Sequence, residues 1–359
     1  MTHPIDFLNW VGQREGFKLT GRIVLKSAMS LGLPRLLRIA GRRLVSASAG
    51  APAIILTSGD IEKALKNTQL MYQALEFTVT KMYLDTFCTV ADLSLEAEAC
   101  GCKIQFYKRE MPSVITHPVR DRSDVRKLKV PDPESDTRLP INLDAMDYLK
   151  RNYSMIKVAT VTGPFTLSLQ LCGSSIYLDT LKDPAKVDDV VEYSGKVVTK
   201  YAEALITHGA DIIIIMEPAL SQLSQKSYER FAHSAINEIV KHLTKPCILH
   251  VCGRAEHLVK YMCNSQCTAF SVDEVDMSNL SKRVPRNSVI VGNLSPILLR
   301  HGPIAEIEKK TLELLNETAY KEEMIIAPGC DLSPDTPLNN ILAFVNAVKK
   351  WKNQRLAIK

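Results

Sequence analysis

Residues 246–253 read PCILHVCG, which sets His250 and Cys252 two positions apart at the end of an apolar, β-branched run. In a strand, a period of two sends both side chains off the same face, where one ion can take both. Far downstream, residues 327–337 read APGCDLSPDTP and deliver Cys330 on a turn shaped by Pro and Gly. One imidazole nitrogen and two thiolates are a suitable three-ligand set for zinc, and leave the fourth tetrahedral position to a substrate. Two plainer readings stand beside this one. Buried cysteines are common small core residues, and His257, Cys263 and Cys267 form a second cluster at local spacing. The strand-end placement favours His250, Cys252 and Cys330.

Several acidic and amide residues end neighbouring runs. Glu217 closes the run of four isoleucines that starts at Ile212 and precedes Pro218. That places a carboxylate near the same mouth, as a catalytic proton donor, a substrate contact or an exchangeable fourth ligand, with helix capping as the alternative. Asp273 and Glu274 end another run and are expected to orient His250 through its second ring nitrogen. Asp273 is also assigned, with Asn293, to substrate binding, although a turn role suits Asn293 equally. Asp331 and Asp335 flank Cys330 and read as acceptors for turn N–H groups.

These residues require a scaffold that gathers strand ends. From residue 157 onward, short β-branched runs alternate with stretches of helical period, the pattern of βα units around a parallel sheet. Strands are expected at 157–162, 211–217, 246–252, 268–273, 288–293 and 324–327, with a seventh near 78–84 and the eighth not identifiable. Residues 188–208 and 224–243 read as crossover helices. No glycine-rich GxGxxG turn follows a strand, so a (β/α)8 barrel of the TIM type is favoured over an open doubly wound sheet. Residues 1–75 lack the βα period and read as an N-terminal helical extension packed on a barrel domain of residues 76–359. Residues 112–140, rich in proline and charge, read as a surface excursion.

The chain of 359 residues is 46% apolar and 23% charged, with a formal charge of +6 spread along it apart from a basic stretch at 35–43. That balance suits a globular enzyme and gives no strong sign of nucleic-acid binding. No secretory leader and no membrane-length apolar run is evident, so a cytoplasmic location is expected. Nine cysteines in such a chain argue for thiols or metal ligands over a disulfide framework.

The segments LHVCG (249–253), FSVDE (270–274), VGNLSP (291–296) and IIAPGCDLSPDTPLNNILAFV (325–345) carry a resemblance to the uroporphyrinogen decarboxylase superfamily, and more narrowly to its cobamide-dependent methyltransferase branch. EAEACGC (96–102), VTGPFTL (161–167) and MEPALSQLS (216–224) fall in the expected order. The resemblance implies zinc on His250, Cys252 and Cys330, and a corrinoid carried by a separate partner protein. No D-x-H-x-x-G segment is present to supply a lower cobalt ligand. The decarboxylases lack the H-x-C pair and carry an arginine-rich N-terminal motif, to which only residues 40–43 bear a faint likeness. The branch implies two chemistries: demethylation of a methoxylated aromatic, with zinc as Lewis acid on the departing oxygen, or methylation of a thiol such as coenzyme M. Leu31, Leu33 and Leu36 could line an aromatic pocket, which tilts the expectation slightly towards the ether, with the thiol as alternative.

Overall fold

The apolar runs fold as strands. A computed structural model of the protein describes residues 3–12 and 18–351. Its strands are β1 (Leu44–Val45), β2 (Thr86–Cys88), β3 (Ile104–Gln105), β4 (Ser113–Val114), β5 (Ile156–Thr162), β6 (Ile212–Met216), β7 (Cys247–Val251), β8 (Ala269–Val272), β9 (Val289–Leu294) and β10 (Met324–Pro328). β3 and β4 form a separate antiparallel hairpin. The other eight are parallel, in the order β1-β10-β9-β8-β7-β6-β5-β2.

The ends of that order meet. Asp85 N–H donates to Val45 O at 3.0 Å, Val45 N–H donates to the Asp85 carboxylate at 2.9 Å, and the hydroxyls of Ser46 and Thr86 lie 2.7 Å apart. The sheet is a (β/α)8 barrel. Both of its faces are covered, which is why the strands are apolar throughout rather than alternating. Ile212, Ile248, Val289, Val291 and Ile325 fill the interior, while Ile213, Ile215, Leu249, Val251 and Ile326 pack outward against the helices.

Three sequence expectations are corrected here. The strand expected near 78–84 is the end of a helix, Thr68–Thr80, followed by a turn. Met71, Ala74, Leu75, Thr78 and Val79 are buried at helical spacing, and the strand begins only at Thr86. The eighth strand is β1, two residues long, too short to show a period in the sequence. It also lies inside the stretch assigned to the extension, so the helical extension gives way to the barrel at Leu44 and not at residue 76.

The extension consists of α1 (Pro4–Gly12), α2 (Lys18–Ser30) and α3 (Leu33–Ile39). Ile5, Leu25, Leu33, Leu36 and Leu37 share one core with Leu44, Ile156, Ile212, Ala269, Val289 and Ile325, at the strand beginnings. These helices therefore close the N-terminal end of the barrel. Leu33 and Leu36 belong to that plug and Leu31 is 45% exposed, so none of the three lines a pocket at the opposite end. Among the described residues no helix is long and apolar enough to cross a membrane.

Candidate metal centre

Alternation along β7 turns Ile248 and His250 inward, and the chain leaves the strand with Cys252 on the same side. Cys330 arrives two residues after β10. The ligating atoms of His250, Cys252 and Cys330 lie within 4.8 Å of one another, although 78 residues separate Cys252 from Cys330. The two sulfurs are 2.9 Å apart. His250 is 4% exposed, its Nδ1 lies 2.9 Å from the Ser271 hydroxyl, and its buried Nε2 has no hydrogen-bond partner. Both cysteines are partly exposed, so the cluster can be reached from outside.

Two glycines make the approach possible. Gly253 turns the chain after Cys252 in the left-handed region, at φ +73, which favours glycine. A Cβ on Gly329 would lie 2.5 Å from an Asp273 oxygen, so only hydrogen lets the Cys330 turn pack against the β8 loop.

Asp273 reaches the cluster through Cys252 rather than His250. Its Oδ2 is 3.5 Å from Cys252 Sγ and accepts the Gly253 N–H at 3.1 Å. The imidazole's partner is Ser271, which the sequence reading missed. Its signal was the register, since His250 pairs with Ser271, and Ser271 precedes Asp273 by the same two residues that separate His250 from Cys252. Glu274 faces solvent and pairs with Arg254 at 3.1 Å. Asn293 donates both amide hydrogens to the carbonyls of Asp273 and Val275, each at 2.7 Å, and so holds the β8 loop. Asp335 bonds Ser333 and Arg300 at 2.6 Å each. Oδ1 of Asp331 is buried without a partner.

Glu217 takes the other face. Met216 follows Ile212 and Ile214 inward, whereas Glu217 follows Ile213 and Ile215 outward, and its side chain is fully buried. Its carboxylate accepts the N–H groups of Phe165 and Thr166 at 2.9 Å each and the Thr166 hydroxyl at 2.6 Å. These are the first turn of the helix Pro164–Cys172, whose free N–H groups and dipole suit a carboxylate. Burial outweighs those donors and pushes the carboxyl up to about 7.

The two thiols are not equivalent. Cys330 accepts a hydrogen bond from Cys252 and faces His250, which holds its thiol below the ordinary range against the effect of burial. Cys252, donating to Cys330, buried and next to Asp273, is held well above it. The rival cluster does not assemble. His257 bonds the carbonyl of Leu223 at 3.0 Å, Cys267 lies beside Cys247 at the strand beginnings, and among the described residues only His250, Cys252 and Cys330 group as candidate ligands.

A family model described as uroporphyrinogen decarboxylase (URO-D) matches residues 37–351. The chain belongs to that family. Relatives within reach by sequence include the methylated-thiol–coenzyme M methyltransferase of Methanosarcina mazei, 29% identical over 266 residues, which are 72% of this chain and 71% of the relative. The methylcobamide:CoM methyltransferase MtbA of Methanosarcina acetivorans is 28% identical over 274 residues, 73% of this chain and 78% of the relative. Among solved structures, a methyltransferase from Methanosarcina mazei superposes with a TM-score of 0.83 at 24% identity, covering 91% of this chain and 98% of that one. At that identity the likeness speaks for the barrel alone.

Proposed function

We propose that this member of the family moves a methyl group between a corrinoid carried by a separate protein and a small-molecule thiol, using one zinc ion held by His250, Cys252 and Cys330. The observation that carries the reading is the cluster itself. A buried imidazole nitrogen without a partner faces two thiols closer together than sulfur atoms at van der Waals contact. A divalent soft-ligand ion satisfies all three atoms at once. The names of the relatives, which pair methylcobamide with coenzyme M, supply the substrate class.

Zinc held this way lowers the pKa of a bound thiol, while two thiolate ligands keep its sulfur electron-rich. The chain's own residues do the rest. His250, fixed by Ser271, and the two cysteines would hold the ion at the C-terminal end of the barrel, and three protein ligands would leave a zinc ion able to take the substrate sulfur. Asp273 and Asn293 set the loop beside it. The thiol's proton passes to solvent, its sulfur forms the new bond to carbon, and the carbon–cobalt bond breaks with its electron pair left on the partner's corrinoid. A site built on two free thiols belongs in a reducing compartment, so the reading places the enzyme in the cytoplasm.

The thiol replaces the ether as the main reading because the ether's support has gone. Of the leucines expected to line an aromatic pocket, Leu33 and Leu36 close the far end of the barrel and Leu31 is exposed. Glu217, the expected acid for a departing oxygen, spends its carboxylate on a helix terminus. The arginines that faintly resemble the decarboxylases' motif are committed elsewhere. Arg42 pairs with Asp85 at 2.7 Å and Asp6 at 2.7 Å, and Arg43 donates to carbonyls of Thr318 and Glu322, all at the end away from the metal cluster.

Incubating the zinc-loaded protein with methylcobalamin and thiols, and separately with a reduced corrinoid protein and methoxylated aromatics, tests the reading by cobalt absorbance. Methylation of the thiols, with loss of the methylcobalamin spectrum, is expected to run and the ether series to stay flat. Turnover of ethers alone would overturn the substrate assignment.

A further inference from the structure

The two ligands at the end of β7 each meet one side chain at the end of β8, at the same spacing of two. His250 and Ser271 are register partners, with Nδ1 2.9 Å from the hydroxyl. Two residues on, Cys252 lies 3.5 Å from Asp273. Ser271 is 6% exposed, so water competes little for the imidazole. The torsion that spins a histidine ring is broad, and a flipped ring would present a carbon where Nε2 now stands. Only the neutral tautomer with hydrogen on Nδ1 leaves Nε2 free to ligate, and that tautomer is the one that donates to Ser271.

We infer that Ser271 is a positioning residue, which locks the plane and tautomer of His250 so that Nε2 offers its lone pair to the ion shared with Cys252 and Cys330. A hydroxyl does this without adding charge to the ligand set, unlike the carboxylate that often backs a ligating histidine. The inference rests on the zinc reading above.

The test compares the wild type, Ser271→Ala, Ser271→Thr, Ser271→Val and Cys330→Ala, each stripped and titrated with zinc against a chromophoric chelator. Visible spectra of the cobalt(II)-loaded forms are recorded in parallel. Ser271→Ala is expected to keep its circular dichroism but bind zinc about 10- to 100-fold more weakly, with a changed cobalt spectrum. The threonine and valine variants match in volume and differ by hydroxyl against methyl, so threonine should restore affinity and spectrum while valine should not. This pair decides the matter even where alanine fails to fold. Wild-type affinity and spectrum in the alanine or valine variant, with zinc lost in Cys330→Ala, would overturn the role of Ser271 and leave the metal centre standing. A wild type that binds neither metal would overturn both.

Discussion

The nine cysteines divide by environment. Burial pushes the thiols of Cys100 and Cys102 up to about 12, and those of Cys172 and Cys263 up to about 11, where they are poor nucleophiles and poor ligands. Cys330 goes the other way because a neighbouring thiol and an imidazole face it. The purified protein should therefore hold about one zinc, and Cys252→Ala or Cys330→Ala should remove most of it with the fold intact. The double variant Cys263→Ser with Cys267→Ser should keep it; elemental analysis of the three proteins decides, and zinc loss in the double variant would move the site. A second expectation follows from the 2.9 Å between the sulfurs, not far above the roughly 2.0 Å of a disulfide. Hydrogen peroxide added to the stripped protein should join Cys252 to Cys330, the thiols losing two hydrogens and the peroxide leaving as water. Zinc should protect them. Peptide mapping that finds the pair reduced after oxidation, or cross-linked equally with zinc bound, would count against a shared ion.

Elements are tied together at Glu217, where the end of β6 caps a helix that follows β5. A Cβ on Gly163 would lie 2.1 Å from Glu217 Cγ, so the cap depends on glycine there. Gly163→Ala should cost about 1–3 kcal/mol in denaturant unfolding, and wild-type stability in that variant would mean the cap is slack. The pH dependence has a definite sign. A carboxyl raised from 4.5 to about 7 in the folded state contributes stability that is fully present below pH 4.5 and is lost as pH rises through 7. Glu217→Gln does not titrate, so its deficit in melting temperature should be largest near the acid end of that window and shrink above it. Its zinc content and thiol turnover at neutral pH should stay near wild type. A fall in turnover of about 10²-fold without a change in stability would restore Glu217 as a catalytic acid.

At the scale of the whole molecule, the barrel closes where it is thinnest. β1 contributes two residues, and the seam to β2 is held by Asp85, which is fully buried. Asp85 accepts Arg42 at 2.7 and 2.8 Å, the Val45 N–H at 2.9 Å and Asn9 of α1 at 2.7 Å. One carboxylate thus joins the first strand, the second strand and the helical plug. Removing one partner of a buried pair strands the other charge, so Arg42→Met or Asp85→Asn should each cost about 3–5 kcal/mol. Zinc content measured in the cold should survive, because the metal cluster sits at the other end. A thermal melt unchanged in both variants would show that the seam closes without this pair.

What the sequence determined by itself was local. Runs of β-branched residues marked six of the eight barrel strands, the H-x-C spacing marked a shared face, and the Pro-Gly turn marked Cys330 as a strand-end residue. Tertiary structure decided whatever depended on a partner far away in the chain. Glu217 and Met216 are adjacent in an apolar run covered on both sides, so nothing local says which of them turns inward. β1 is a strand only because β10 and Asp85 pair with it, and two residues carry no period. Leu33 and Leu36 look alike whether they line a pocket or seal a floor, and the end of the barrel against which they pack settles it. Ser271 became visible as the partner of His250 only once the register of β7 on β8 was set, since a hydroxyl finds its role through the atom opposite it.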